Sequence, residues 1–315
     1  MPWFSFIILA ISLVGLWTGT NLAVNNATKI AKYFGLSEFF IGLTIISIGT
    51  DLPEMVVSVT GAMHKLHGED TSGLIIGNAI GSSLGQMGFA LGFAGLFYNL
   101  TVERNQGLRD GMVMGISTFV LMMLAADGHI SRVEGVLLVV IFIVYTSVLL
   151  SQETVKKTPR NKISFPTISW VAFQLLAGLA IVIFSSDWTI KSALSIATHY
   201  NIRQSIIGIF IIGLGTSLPE IAVAIGGISK GSAGIPGGTI IGSTIFDILV
   251  PIGVSASIAT LSFDIRIANF DIPAFLIIAL ITFSFFITRK RISKVEAAII
   301  LSLYFLYAWL KLTEF

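Results

Sequence analysis

Ile41–Glu54 reads IGLTIISIGTDLPE, and Ile207–Glu220 reads IGIFIIGLGTSLPE. The register between them holds well beyond these segments: residues 21–60 and 187–226, offset by 166, share 13 identities in 40 positions without a gap. A second pair follows at an offset of 161, GNAIGSSLGQ at Gly77–Gln86 and GTIIGSTIFD at Gly238–Asp247. Apolar helices resemble one another in composition, but composition alone does not place Gly-Thr-x-Leu-Pro-Glu twice at corresponding points. The chain is an internal duplication.

The rest of the chain sets the medium in which that duplication works. Of 315 residues, 54% are hydrophobic and 11% charged, against about 25% charged in a soluble domain. Apolar runs long enough to cross a bilayer recur near residues 3–33, 38–63, 72–97, 107–127, 131–152, 166–198, 203–228, 237–260, 268–288 and 294–312. The first run lacks the basic start and small-residue cleavage pattern of a signal peptide and reads as a helix. The expected fold is an all-α polytopic membrane protein of ten spans. The loops after spans 1, 3, 5, 7 and 9 hold 13 of the lysines and arginines and the opposite side holds 6, which predicts both termini outside the cytoplasm. No cysteine is present and the net charge is +2, so disulfides, thiolate chemistry and a nucleic-acid surface drop out.

Five spans fall in each half, residues 1–152 and 166–315, joined by a basic cytoplasmic linker at 153–165. Because five is odd, the second half enters the membrane inverted relative to the first. Inverted repeats meeting at a midplane site are the pattern of a secondary transporter. Pro53 and Pro219 fall in the middle of spans 2 and 7, where proline supplies no N–H and crowds the carbonyl four residues earlier. Both helices are expected to break there, exposing the carbonyls of Ser47, Gly49, Thr50, Gly213, Gly215 and Thr216 to a cation. Glu54 and Glu220 follow the prolines directly, and an intramembrane carboxylate is expensive and usually functional. Asp51 precedes Glu54 by three residues; Ser82 with Gln86, and Ser243 with Asp247, each share a helical face. With the hydroxyls of Thr50, Thr216 and Ser217, every donor is a hard oxygen. Such a set suits Ca²⁺ or Na⁺ ahead of Mg²⁺, which holds to a stricter octahedron.

These motifs resemble the two alpha-repeats of the sodium/calcium exchangers in the calcium/cation antiporter superfamily, with their Gly-Thr-Ser-x-Pro-Glu and Gly-Ser-Asn-x-x-Asn/Asp patterns. The resemblance spans essentially the whole chain and is nearest the compact prokaryotic type. It implies Na⁺/Ca²⁺ antiport by alternating access, with ions as substrates and no cofactor. Carried over by position, it implies that Glu54 and Glu220 bind Ca²⁺ with the Thr50 and Thr216 carbonyls, while Ser82, Ser217, Ser243 and Asp247 complete flanking sodium sites. Spans 1 and 6 would slide over spans 2, 3, 7 and 8. Two positions depart from the pattern, Asp51 where serine is usual and Gln86 where Asn or Asp is usual. Both bear on the coupling ion and the stoichiometry.

Proton/calcium and potassium-dependent sodium/calcium exchange are the alternatives within the same class, and a cation channel is the alternative outside it. An intramembrane serine hydrolase would need a base, yet His64, His67, His129 and His199 all fall near loops or span ends. His64, His67, Glu69 and Asp70 read as a solvated loop rather than a metal site. Asn21 and Asp187 correspond in spans 1 and 6 and are expected to stand on the access route, on a packing face or at the outer surface. The basic loops are expected to contact lipid head groups. The localisation implied is the cytoplasmic membrane, and no oligomeric state is implied.

Overall fold

Runs rich in Leu, Ile, Val and Phe become helices here because an apolar medium offers backbone N–H and C=O groups no partners outside the segment. The computed structural model describes residues 2–33, 47–97, 100–101, 104–151, 165–218, 235–289 and 291–313. In chain order the helices are α1 Pro2–Tyr33, α2 Ser47–Thr50, α3 Leu52–Leu66, α4 Ser72–Leu84, α5 Leu91–Phe97, α6 Arg104–Leu124 and α7 Arg132–Ser151. They continue with α8 Phe165–Tyr200, α9 Gln204–Ile207, α10 Leu214–Thr216, α11 Ile235–Ile258, α12 Ile272–Arg289 and α13 Lys294–Thr313. Wider π turns at Gly85–Ala90 and Gly208–Gly213 join α4 to α5 and α9 to α10, and a third at Ile267–Asp271 leads into α12.

Eight helical stretches among the described residues are long and apolar enough to cross a membrane. Of the other two expected spans, 38–63 is described from residue 47 onward and 203–228 up to residue 218; the remainder, with Pro219, Glu220 and the linker, lies outside the described residues. The stretches Ser72–Phe97 and Ile240–Ile258 are 94% and 83% buried, whereas Arg132–Ser151 is only 11% buried although its mean hydropathy is 2.5. An apolar helix left so bare by its own protein faces lipid. The α4–α5 segment and α11 therefore form the centre, and α7 the periphery.

Small residues bring the central helices into backbone contact, as in other membrane proteins. A Cβ on Gly213 would lie 2.7 Å from the Ser82 nitrogen and 2.8 Å from the Asn78 carbonyl oxygen. Gly213→Ala should therefore destabilise the protein by about 1–3 kcal/mol through overpacking, read as a lower midpoint of thermal unfolding in detergent. An unchanged midpoint would mean that α4 can withdraw from the Gly208–Gly213 turn. The two longest helices, α1 and α8, pack as a pair: Thr189 donates to Ser12 Oγ at 2.9 Å, Ser5 and Ser195 hydroxyls lie 3.0 Å apart, and a Cβ on Gly178 would meet the Gly19 carbonyl at 2.9 Å.

Two short antiparallel ladders relate the halves. Leu100 and Thr101 (β1) pair with Ile292 and Arg291 (β4), while Ile130 and His129 (β2) pair with Leu261 and Ser262 (β3). Leu100 and Leu261 are 161 residues apart and Ile130 and Ile292 are 162 apart, so each ladder is the repeat image of the other. The helices after β2 and β4 open with the same device. Ser131 N–H and Oγ donate to Glu134 Oε2, both at 2.7 Å, and Ser293 N–H and Oγ donate to Glu296 Oε2, both at 2.8 Å. These are capping boxes of the Ser-x-x-Glu kind, in ISRVEG at 130–135 and ISKVEA at 292–297. The duplication thus reaches beyond the two motifs that first expose it.

Candidate cation-binding site

Helix α2 stops at Thr50 and α3 starts at Leu52, with Asp51 between them at φ −80° and ψ 6°. Its repeat counterpart Ser217 caps α10 at φ −81° and ψ 2°. The local backbone is therefore the same at the two related positions, each two residues before a proline. Pro53 stands in the first turn of α3, where its missing N–H needs no helical partner. Glu54 follows it and is completely buried.

Groups from both halves surround Glu54. Ser217 Oγ donates to Glu54 Oε1 at 2.9 Å, and Ser82 Oγ lies 3.3 Å from the same oxygen. The Gln86 amide nitrogen is 3.4 Å from Ser217 Oγ and 3.1 Å from Asp247 Oδ2, and Thr244 Oγ1 is 3.5 Å from the Gln86 carbonyl oxygen. Asp51 and Glu54 both lie near enough to Asp247 to act on its charge. Asp51, Ser82, Gln86, Thr216, Ser217, Ser243 and Asp247 are all buried, and Thr50 is 8% exposed. Glu54 Oε2, Asp247 Oδ1 and Ser243 Oγ have no hydrogen-bond partner among the described residues. Buried polar atoms are rarely left so, and three such oxygens in one neighbourhood fit a cation.

Of the fourteen expected site residues, all but Ser47 and Glu220 thus have described surroundings; a Cβ on Gly49 or Gly215 would meet Val24 or Leu13 of α1, and the structure brings the other ten to one region. Ser47 lies in α2. Glu220 lies outside the described residues. The Gly213 carbonyl accepts the Ser217 N–H at 3.2 Å, and the hydroxyls of Ser82 at 3.1 Å and Thr216 at 3.2 Å also reach it. Among the described residues, no three His, Asp or Glu side chains converge as metal ligands. The donor set therefore draws on hydroxyls as well as carboxylates.

Sequence reading passed over Asn78. Its amide nitrogen donates to the Glu54 carbonyl and to Ser58 Oγ, each at 3.2 Å, and its Oδ1 accepts from Thr216 Oγ1 at 3.2 Å. It stands one turn before Ser82 on the same helical face, which was the available signal. Its repeat counterpart is Thr239, so the duplication did not mark it. Two further acids lie inside the expected spans. Asp271 is fully buried and receives Lys311 Nζ at 2.6 Å and the Tyr307 hydroxyl at 2.8 Å. Asp110, 161 residues earlier, receives Arg109 Nε at 2.7 Å and lies near Tyr145, the counterpart of Tyr307. Each of these acids has a cation of its own beside it, which sets it apart from the acids near Glu54.

The chain is similar to known proteins over its length. The family described as sodium/calcium exchanger protein matches residues 4–151 and 170–313. The chain is 26% identical to sodium/calcium exchanger MaX1 of Methanosarcina acetivorans, over 95% of this chain and 96% of that one. It is 32% identical to human sodium/potassium/calcium exchanger 4, over 40% of this chain and 20% of the other. Among solved structures, the sodium-calcium exchanger NCX_Mj soaked with 10 mM Na⁺ superposes with a TM-score of 0.65 at 27% identity, covering 97% of this chain and 98% of that one.

Proposed function

The chain belongs to the sodium/calcium exchanger protein family, and on that premise we propose that it exchanges Na⁺ for Ca²⁺ across the membrane by alternating access. The observation that carries this reading is Glu54: fully buried, one carboxylate oxygen held by Ser217 and Ser82, the other without a hydrogen-bond partner among the described residues. One oxygen is thereby oriented and the other left for the ion. Glu220 supplies the second central carboxylate. Asp247 Oδ1 and Ser243 Oγ complete the hard-oxygen shell, together with Asp51, the Thr50 and Thr216 carbonyls, Ser82 and Ser217. The Gln86 amide holds Asp247 Oδ2. The ions are cargo, and the protein is a transporter rather than an enzyme.

The paired ladders support ten spans in two inverted halves. Pairing of β1 with β4 and of β2 with β3 requires the loops after spans 3 and 9 to share one face of the membrane, and those after spans 4 and 8 to share the other. Ten crossings satisfy both requirements, with spans 2 and 7 broken beside Glu54 and Glu220. The excess of lysine and arginine in the loops after the odd-numbered spans supports both termini outside the cytoplasm, with the protein in the cytoplasmic membrane. An empty site holding several uncompensated carboxylates resists burial, so the α1–α8 pair crosses the core only when Ca²⁺ or a set of Na⁺ ions fills it. That condition is the coupling.

The test is radiolabelled Ca²⁺ uptake into proteoliposomes loaded with Na⁺, with K⁺, or with a pH gradient. Uptake driven by internal Na⁺ is expected; uptake driven by a pH gradient alone, indifferent to Na⁺, overturns the reading. Flux that needs no counter-ion on the opposite side would indicate a channel. Asp51→Ser removes one buried negative charge and should lower the number of monovalent ions moved per Ca²⁺, measured as a shift in reversal potential. An unchanged reversal potential would place Asp51 outside the ion shell.

A further inference from the structure

His64 lies on α3 ten residues beyond Glu54, about 15 Å along the helix and well outside the ion site. Its ring stands between two acids: Nδ1 is 2.6 Å from Glu69 Oε2 and Nε2 is 2.8 Å from Asp187 Oδ1. A neutral imidazole has one N–H and can donate to only one of them. Its other nitrogen would then present a lone pair to a carboxylate, so the imidazolium form alone satisfies both contacts. The other charged groups nearby do not replace it. Lys191 of α8 holds Asp187 Oδ2 at 2.7 Å, Lys65 turns to Asp70 at 3.0 Å, and His67 Nδ1 lies 2.7 Å from the Met63 carbonyl. Helix α1 has no charged residue before Lys29.

The contact matters because of what it joins. Helix α3 bears Glu54, whereas Asp187 is on α8, which packs along α1. The His64 side chain is only 14% exposed and Asp187 35%, while Glu69 is 54% exposed and adds little. A neutral hydrogen bond beside it, Thr60 to Ser186 at 2.7 Å, does not respond to pH. We propose that His64 is a positioning residue for exchange: as imidazolium it clamps the α1–α8 pair to α3, and loss of its proton reduces that clamp to a weaker neutral hydrogen bond, so that the pair moves more readily. The proposal rests on the alternating-access reading above.

The absence of cysteine allows a clean test. Met63 and Trp188 are exposed on α3 and α8, so Met63→Cys with Trp188→Cys accepts two spin labels whose separation reports the interface in lipid nanodiscs. When the pH is raised from about 5 to about 8, the population of the undocked distance should rise about fivefold. It should be insensitive to pH in His64→Gln and raised at both pH values in Asp187→Asn. In proteoliposomes the same pH change should raise kcat in the native protein and leave it flat in His64→Gln, whereas proton competition at the ion site would act through the KM for Ca²⁺. Identical distance distributions at the two pH values, or a full pH response in His64→Gln, would overturn the clamp. The distance measurement needs no transport, so it stands or falls separately from the Na⁺/Ca²⁺ assignment.

Discussion

Glu54→Gln should reduce Na⁺-driven Ca²⁺ uptake by more than about a hundredfold, since loss of even an outer partner of a bound metal lowers affinity by about 10- to 100-fold. Unlike most site substitutions, it should leave the ion-free protein as stable or more so. The amide matches the carboxylate in shape, and its oxygen still accepts from Ser217 and Ser82, whose hydroxyls now reach Glu54 Oε1 at 2.9 and 3.3 Å. It also removes a charge whose burial is unfavourable in the absence of an ion. The informative measurement is the thermal midpoint with and without Ca²⁺. The native protein should gain stability with the cation, about 2.7 kcal/mol at a hundredfold excess over Kd, and Glu54→Gln should gain none. Normal uptake in this variant would remove the central site.

Lys311→Met should have the largest effect on stability. Lys311 is 1% exposed and its ammonium lies 2.6 Å from Asp271, itself fully buried. Removing one partner of a buried ion pair costs about 3–5 kcal/mol because the other charge is left uncompensated. Among the described residues Asp271 would then retain only the Tyr307 hydroxyl, and α13 would lose its charged tie to the start of α12. Replacing both residues, Lys311→Met with Asp271→Leu, should recover most of the loss, since an apolar pair of similar volume carries no desolvation term. Midpoints of unfolding in detergent for the two single variants and the double variant form the check. If the double variant were no more stable than Lys311→Met alone, the ion pair would not be the source of the effect.

These two carboxylates show where sequence reading succeeds and where it stops. Glu54 was legible because it sits in a repeated motif, directly after a proline, in the middle of an apolar run; each feature is local and each has a physical meaning. Asp271 and Lys311 were not legible as a pair. They are 40 residues apart, each near the end of its span, where a charged residue ordinarily reaches interfacial water. Only the packing of α13 against the Ile267–Asp271 turn shows that neither does. Asn78 was hidden differently: the duplication had diverged to Thr239 at that point, and a lone buried asparagine has many structural uses. His64 looked like part of a solvated loop because its partner Asp187 is 123 residues away.

The sequence by itself determined the membrane medium, the duplication and the chemistry of the donors, because hydropathy, internal identity and side-chain type are properties of the chain read in order. Tertiary structure decided how those donors are used. It tied the Gly213 carbonyl to Ser82, Thr216 and Ser217, turned the Gln86 amide onto Asp247, and left Glu54 Oε2, Asp247 Oδ1 and Ser243 Oγ without hydrogen-bond partners among the described residues. Hydrogen bonds at these distances depend on positions fixed to within tenths of an ångström by helices that meet from opposite halves, and no local pattern in a chain encodes where two distant segments cross.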